Sequence, residues 1–142
     1  MIFEYLALKF KTMKKNLMIL SAVVVALLAS CSPAAVASGK YSGTFSSTNL
    51  PSSSGTATAN VTTNGDDKVN ITISSSGNPD FSATGVGVVK LSVPGVTEVT
   101  MSLSGSVDVS GSVIEVGGIK TFTADITNNT DTTYISFTGT KM

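Results

Sequence analysis

Apolar and polar residues alternate along the segment from Val99 to Val113. The odd positions carry valine, methionine, leucine or glycine, and the even positions carry serine, threonine or aspartate. A period of two residues is typical of a β-strand with one face buried and the other in water. The segment is long for a single strand, so the pattern predicts a hairpin that turns at Ser104-Gly105.

The register of this hairpin follows from keeping the apolar residues on one face. A two-residue loop would pair Met101 with Asp108 and would bury a carboxylate. A three-residue loop over 103–105, with its glycine in the left-handed conformation, pairs Met101 with Val107 instead. We predict the second register.

The same reasoning applies to the asparagine-glycine pair within residues 63–65. A two-residue turn would oppose Val61 to Lys68. A loop over 63–65 pairs Ala59 with Val69 and keeps the apolar residues together. We predict this three-residue loop as well.

Further strand patterns bring the total to about eight short strands. These additional segments are 41–46, 86–93, 122–126 and 134–140. The chain is therefore predicted to be all-β, an antiparallel meander over residues 40–142, with a closed barrel favoured over a sandwich because closure removes exposed strand edges. Phenylalanines in phase with the apolar positions are predicted to pack in the core: Phe45, Phe122 and Phe137.

The chain begins with a segment of different composition. Lys14 and Lys15 precede an apolar run from Leu17 to Ala29, which is too short to span a bilayer comfortably and is typical of a secretory signal. We predict a signal peptide over residues 1–30. Met13 is the expected start of translation, because the residues before it make an unusually long and mixed leader.

The only cysteine of the chain directly follows this run. Leu28, Ala29, Ser30 and Cys31 resemble, in order, the lipobox of bacterial lipoproteins. The resemblance implies cleavage before Cys31, diacylglycerol on its sulfur and a lipid anchor in the membrane, and Ser32 in the next position implies the outer membrane. The alternative is a cytosolic helix with a buried cysteine.

Without the leader, residues 31–142 hold five lysines and eight carboxylates, and about a third of them are serine or threonine. Mild acidity without a basic patch to meet phosphates argues against nucleic acid and against anionic lipid as partners. The chain has no histidine, which excludes the usual nucleophilic triads and the zinc, copper and haem sites built on histidine and cysteine. We predict no catalytic residue, no metal and no cofactor.

Two short segments have simple interpretations. Residues 31–39, rich in proline, alanine and serine, are interpreted as a lipidated tether that is flexible from Ser32 onward. Asp66 and Asp67 are the only adjacent carboxylates. A weak calcium site there is conceivable, but a solvated turn is the favoured interpretation.

Residues 39–45, GKYSGTF, followed by residues 67–73, DKVNITI, resemble the opening of the calycin-like β-barrel lipoproteins of Bacteroidota. Gly39-Lys40-Tyr41 is also similar to the first-strand G-x-W element of lipocalins, although this chain has neither tryptophan nor arginine. The resemblance implies an eight-stranded barrel without an assigned biochemical role.

Two functions follow as expectations. The first is a non-enzymatic structural or interaction protein of the cell envelope, with an envelope protein or a glycan as its partner. The alternative is a carrier or sensor for a small apolar or carbohydrate-like ligand. The residues that would line such a ligand site are Tyr41, Phe45, Met101 and Tyr134.

Overall fold

A computed structural model of the protein describes residues 32–142. The signal peptide and the lipid on Cys31, both predicted from residues 1–31, lie outside the described residues. The elements are one short helix and eight strands: α1 Pro33–Ala37, β1 Gly39–Thr48, β2 Ser54–Thr63, β3 Lys68–Ser75, β4 Phe81–Val93, β5 Val96–Leu103, β6 Val107–Val116, β7 Ile119–Asn128 and β8 Thr133–Lys141.

The eight strands form a closed antiparallel barrel in which each strand pairs with the next along the chain. The last strand returns to the first, and Phe45 of β1 pairs with Phe137 of β8. This connectivity is that of an up-and-down barrel. The predicted all-β meander and its closure into a barrel are confirmed.

The strand faces are those that the alternation predicts. Val99, Met101 and Val113 are buried, whereas the serines and threonines between them lie on the outside. The three phenylalanines predicted for the core are at most 5% exposed. Valine, isoleucine and threonine suit such a half-buried pleated surface, which explains why the period of two residues identified the strands.

Both predicted hairpin registers are wrong by an even number of residues. In the β5–β6 hairpin, Met101 pairs with Gly111 and not with Val107. The faces are unchanged, because only an odd shift exchanges them. The last pair of this hairpin is Leu103 with Val109, so residues 104–108 connect the paired positions in place of the predicted 103–105. Within this connection the Oδ1 atom of Asp108 accepts a hydrogen bond from the backbone N–H of Gly105 at 2.9 Å.

The β2–β3 hairpin also has a longer connection than predicted, because its last pair is Thr63 with Val69. Ala59 pairs with Ile73, so its predicted pairing with Val69 is wrong. The backbone N–H of Asn64 donates to the carbonyl of Lys68 at 2.8 Å and closes the longer loop. Backbone hydrogen bonds inside a loop of this kind are not visible in the pattern of apolar positions.

Residues 33–37 form a helix in place of the flexible tether predicted from Ser32. Ala34 and Ala37, three residues apart on one helix face, are fully buried and belong to the same core as the strands. Pro33 suits the first position of a helix, and alanine is the best helix former. The compact unit therefore begins at Pro33, seven residues before the predicted boundary at Lys40.

A close approach between β1 and β8 closes the barrel. Gly43 pairs with Gly139, and a Cβ atom on Gly43 would collide with the carbonyl of Thr138. A Cβ atom on Gly139 would lie 2.6 Å from the Phe137 ring and 2.7 Å from the carbonyl oxygen of Ser42. Only glycine fits at either position without a shift of the strands.

The up-and-down course of the chain gives the barrel two distinct ends. We define the basal end as the one that carries α1, the loops 64–67, 94–95 and 117–118, and Met142. The apical end carries the loops 49–53, 76–80, 104–106 and 129–132.

Candidate functional site

The four residues predicted to line a ligand site do not lie together. Tyr41, Phe45 and Met101 point into the barrel and are at most 5% exposed. Tyr134 lies on the outer face of β8. The four side chains therefore do not line one common surface.

The barrel interior is occupied by aromatic and aliphatic side chains. The Tyr41 and Phe122 rings have centroids 5.2 Å apart, and the Phe122 and Phe137 rings 5.6 Å apart. These spacings are those of favourable tilted aromatic pairs. The largest other fully buried side chains of the described core are isoleucines and valines from the surrounding strands: Val61, Val69, Ile71, Ile73, Val86, Val99, Val113 and Ile126.

The Tyr41 hydroxyl is the polar end of this aromatic stack. It donates a hydrogen bond to the carbonyl of Ala37 at 2.7 Å and so joins β1 to the end of α1. Burial, and secondarily the negative charge of Glu115, raise the pKa of Tyr41 to about 12. The phenol therefore stays protonated and acts as a structural donor.

Two lysines bind the same end of α1. The Nζ atom of Lys120 donates to the carbonyl of Val36 at 2.9 Å, and the Nζ atom of Lys141 donates to the carbonyl of Ser38 at 3.1 Å. Lys120 also lies 3.6 Å from the Glu115 carboxylate. Lysine side chains commonly satisfy the last carbonyls of a helix in this way, and here they hold α1 across the basal end.

The outer face of β5–β8 carries a shallow groove lined by hydroxyl and carboxylate side chains. We call it the hydroxyl groove, and its side chains are Glu98, Thr100, Ser110, Ser112, Thr123, Asp125, Ser136 and Thr138. Its volume is about 420 Å³. The register aligns these residues in rows across the strands, and the hydroxyls of Ser112 and Thr123 are 3.4 Å apart.

One aromatic side chain borders the hydroxyl groove. The Tyr134 hydroxyl donates to the Oδ1 atom of Asp125 at 2.8 Å. Hydroxyl groups both donate and accept hydrogen bonds, whereas carboxylates only accept them. The groove can therefore satisfy a partner that presents many hydroxyl or amide groups.

Two other carboxylates stabilise apical loops. Asp108 accepts from the Gly105 backbone and, through Oδ2, from the Nδ2 atom of Asn129 at 2.8 Å. The hydrogen bond from Asn129, followed by that from Gly105, lowers the pKa of Asp108. Hydrogen bonds from the backbone and side chain of Thr133 likewise lower the pKa of Asp131. The side-chain amides and backbone donors around these carboxylates indicate a role in loop structure.

Three further pockets are open to solvent and lie on the outside or at the ends of the barrel. The largest, about 480 Å³, lies at the basal end between the loops 94–95 and 117–118. Another, about 250 Å³, lies between the start of β4 and the loop 104–106. The third, about 350 Å³, lies on the outside of β1–β3.

Within residues 32–142, no group of three or more histidine, cysteine, aspartate or glutamate side chains is placed to hold a metal ion. Asp66 and Asp67 are exposed loop residues. None of the helices in the described part of the chain has the length and hydrophobicity needed to cross a membrane.

Comparison with protein-family models, with curated proteins and with solved structures found no match to this chain.

Sequence analysis did not identify the hydroxyl groove as a site. The alternation of apolar and polar residues does place the serines and threonines of the groove on the outer face. This alternation is the one sequence signal that could have identified the groove. The alignment of these residues into one groove depends on the registers of three hairpins. One of those registers was predicted wrongly.

Proposed function

We propose that this protein is a lipoprotein of the bacterial outer membrane, anchored by lipid on Cys31, and that its calycin-like barrel acts by contact with another envelope component. The observation that carries the proposal is the position of Cys31. It ends a complete lipobox-like sequence and precedes a compact domain that begins at Pro33.

The short connection gives the anchor a physical consequence. Two residues can span at most about 7 Å, so a lipid on Cys31 would hold the basal end of the barrel close to the membrane. Two or three acyl chains bind a membrane durably, whereas one chain binds it reversibly.

The hydroxyl groove supports a contact role. It is polar and shallow, and its hydroxyl and carboxylate groups suit hydrogen bonding to a glycan or to a polar protein surface. Asp125, its most apical carboxylate, is already bound by Tyr134. A non-enzymatic role is consistent with this use of the carboxylate as a hydrogen-bond acceptor.

Intact-mass measurement of the full chain, expressed in a bacterium and extracted from its membranes, tests the anchor. We expect a mature chain that starts at Cys31 and carries diacylglycerol. Cys31→Ala should abolish the lipid and the cleavage before residue 31, whereas the matched control Ser32→Ala should keep both. A wild-type chain without lipid contradicts the anchor.

Photo-crosslinking in the bacterial envelope tests the contact role. A photoreactive residue at Thr123 in the hydroxyl groove should give a discrete adduct, whereas one at the exposed Thr62 of β2 should not. Equal labelling from both positions contradicts the groove as the contact surface. Native mass spectrometry adds a second check, because a small-molecule adduct that is lost on denaturation would favour the carrier function instead.

A further inference from the structure

Three exposed aliphatic side chains and the partly exposed Val96 form a row at the basal end. The register aligns Val93 of β4 with Val96 of β5, Val96 with Val116 of β6, and Val116 with Ile119 of β7. Val93, Val116 and Ile119 are 62%, 52% and 65% exposed. We call this row of four residues the basal collar.

The apolar surface extends one row further from the end. Leu91 and Ile114 are 57% and 39% exposed and lie on either side of Glu98 in the register. Beyond them the outer face of β5–β8 changes to the serines and threonines of the hydroxyl groove, whereas β4 continues with Val89, which is 62% exposed. Contiguous exposed apolar surface of this kind marks an interaction site.

The charges of the described chain are divided between the two ends. All five lysines of residues 32–142 lie in the basal half of their strands: Lys40, Lys68, Lys90, Lys120 and Lys141. Four carboxylates share that half: Asp66, Asp67, Glu98 and Glu115. The apical half holds the other four carboxylates and, within the described residues, no lysine: Asp80, Asp108, Asp125 and Asp131.

We propose that the basal collar docks into the interface of the lipid bilayer, with the basal lysines at the level of the anionic headgroups. This inference rests on the proposed lipid anchor, because Pro33, which follows Cys31 by two positions in the sequence, begins the helix at this end. Exposed aliphatic residues enter the headgroup and acyl boundary, and lysines nearby are attracted to anionic lipid. The barrel then stands with its acidic apical end directed away from the membrane.

Tryptophan fluorescence tests the docking, because the natural chain has no tryptophan. The full lipidated chain is inserted into vesicles of phosphatidylethanolamine and phosphatidylglycerol, with a single tryptophan at Ile119→Trp or, as a control, at the apical Thr130→Trp. We expect blue-shifted emission from Ile119→Trp and strong quenching by lipids brominated near the headgroup. Thr130→Trp should show neither.

A matched pair of variants tests the collar itself. In the Ile119→Trp chain, Val93→Ser should reduce the quenching severalfold. Val89→Ser should change it little, because Val89 is equally exposed at 62% but lies about 13 Å further from the basal end along β4. If Val93→Ser and Val89→Ser reduce the quenching equally, the contact with lipid is not confined to the basal collar and the proposal is wrong.

The experiments distinguish an error in the proposed lipid anchor from an error in the proposed membrane docking of the basal collar. If intact mass shows no lipid, the thiol of Cys31, the single cysteine, is coupled to a maleimide lipid and the same fluorescence is measured. Water-exposed emission from Ile119→Trp on anchored chains overturns the collar proposal. A blue shift that appears without vesicles and disappears on dilution also overturns it, since it identifies a second copy of the chain as the occupant.

Discussion

At the scale of single residues, Tyr41 links the core to the helix at the basal end. Its ring packs against Phe122, and its hydroxyl donates to the carbonyl of Ala37. The sequence had suggested Tyr41 only as a residue that would line a ligand site. Sequence analysis did not find the hydrogen bond, because the acceptor belongs to a segment that was interpreted as flexible.

Tyr41→Phe is expected to lower the free energy of unfolding by about 1–3 kcal/mol, because the buried Ala37 carbonyl loses its donor. Urea unfolding measures the difference. Tyr134→Phe removes an equivalent hydroxyl from the outer face and should change stability by less than about 0.5 kcal/mol. Equal losses from the two variants would contradict the structural role of the Tyr41 hydroxyl.

The raised pKa of Tyr41 predicts a loss of stability in alkali. An unfolded tyrosine has a pKa near 10, whereas burial raises that of Tyr41 to about 12. The folded state therefore retains a proton that the unfolded state releases, and this contribution is complete below pH 10 and is lost as the pH rises through 12. In urea unfolding between pH 10 and 12, the difference in free energy of unfolding between wild type and Tyr41→Phe should decrease as the pH rises. A difference that stays constant would contradict the raised pKa of Tyr41.

At the scale of elements, the sequence predicted the strands better than the connections between them. Alternation identifies a strand and its faces, since burial of one face is imposed by the closed sheet. The connections instead involve contacts such as those of Asp108 with Gly105 in its own hairpin and with Asn129 in the β7–β8 loop, which the pattern of apolar positions does not show. Composition likewise could not show that α1 is buried, because small residues are equally typical of a tether and of a closely packed helix.

The packing of α1 predicts different effects at two neighbouring alanines. Ala34→Leu should destabilise the protein by about 1–3 kcal/mol, because the position is fully buried and additional methylenes must displace the core. Ala35→Leu, on the exposed face, should cost less than about 0.5 kcal/mol. Thermal or urea unfolding measures the stability of both variants. If leucine costs equally little at both positions, residues 33–37 are not packed in the core and the flexible tether is the better description.

At the scale of the whole molecule, the barrel separates its charges along its axis. Net charge alone gave only the mild acidity of the chain and argued against both nucleic acid and anionic lipid as partners. The segregation of the lysines becomes visible only when the up-and-down course assigns each strand end to the basal or the apical side. The basal collar escaped sequence analysis for the same reason, because Val93, Val96, Val116 and Ile119 become neighbours only across four strands.

Amine labelling tests this separation independently of tryptophan. Exposed basal lysines such as Lys40, Lys68 and Lys141 should react readily with an acylating reagent on the detergent-solubilised chain and severalfold more slowly on vesicles. Carbodiimide labelling of the apical Asp80 and Asp131 should be the same in both states. Peptide mass spectrometry measures each site, and uniform protection of both ends would contradict a membrane on the basal side alone.

The closure of β8 onto β1 also determines where the protein can be extended. An even number of up-and-down strands returns the chain to the end where it began, and the backbone N–H of Met142 donates to the carbonyl of Lys40 at 3.0 Å. A reporter fused after Met142 would therefore be held beside the anchored end and would compete with the lipid for space. An insertion within residues 129–132, at the opposite end, would instead be displayed to the surroundings, which makes that loop the place for a tag or a grafted epitope.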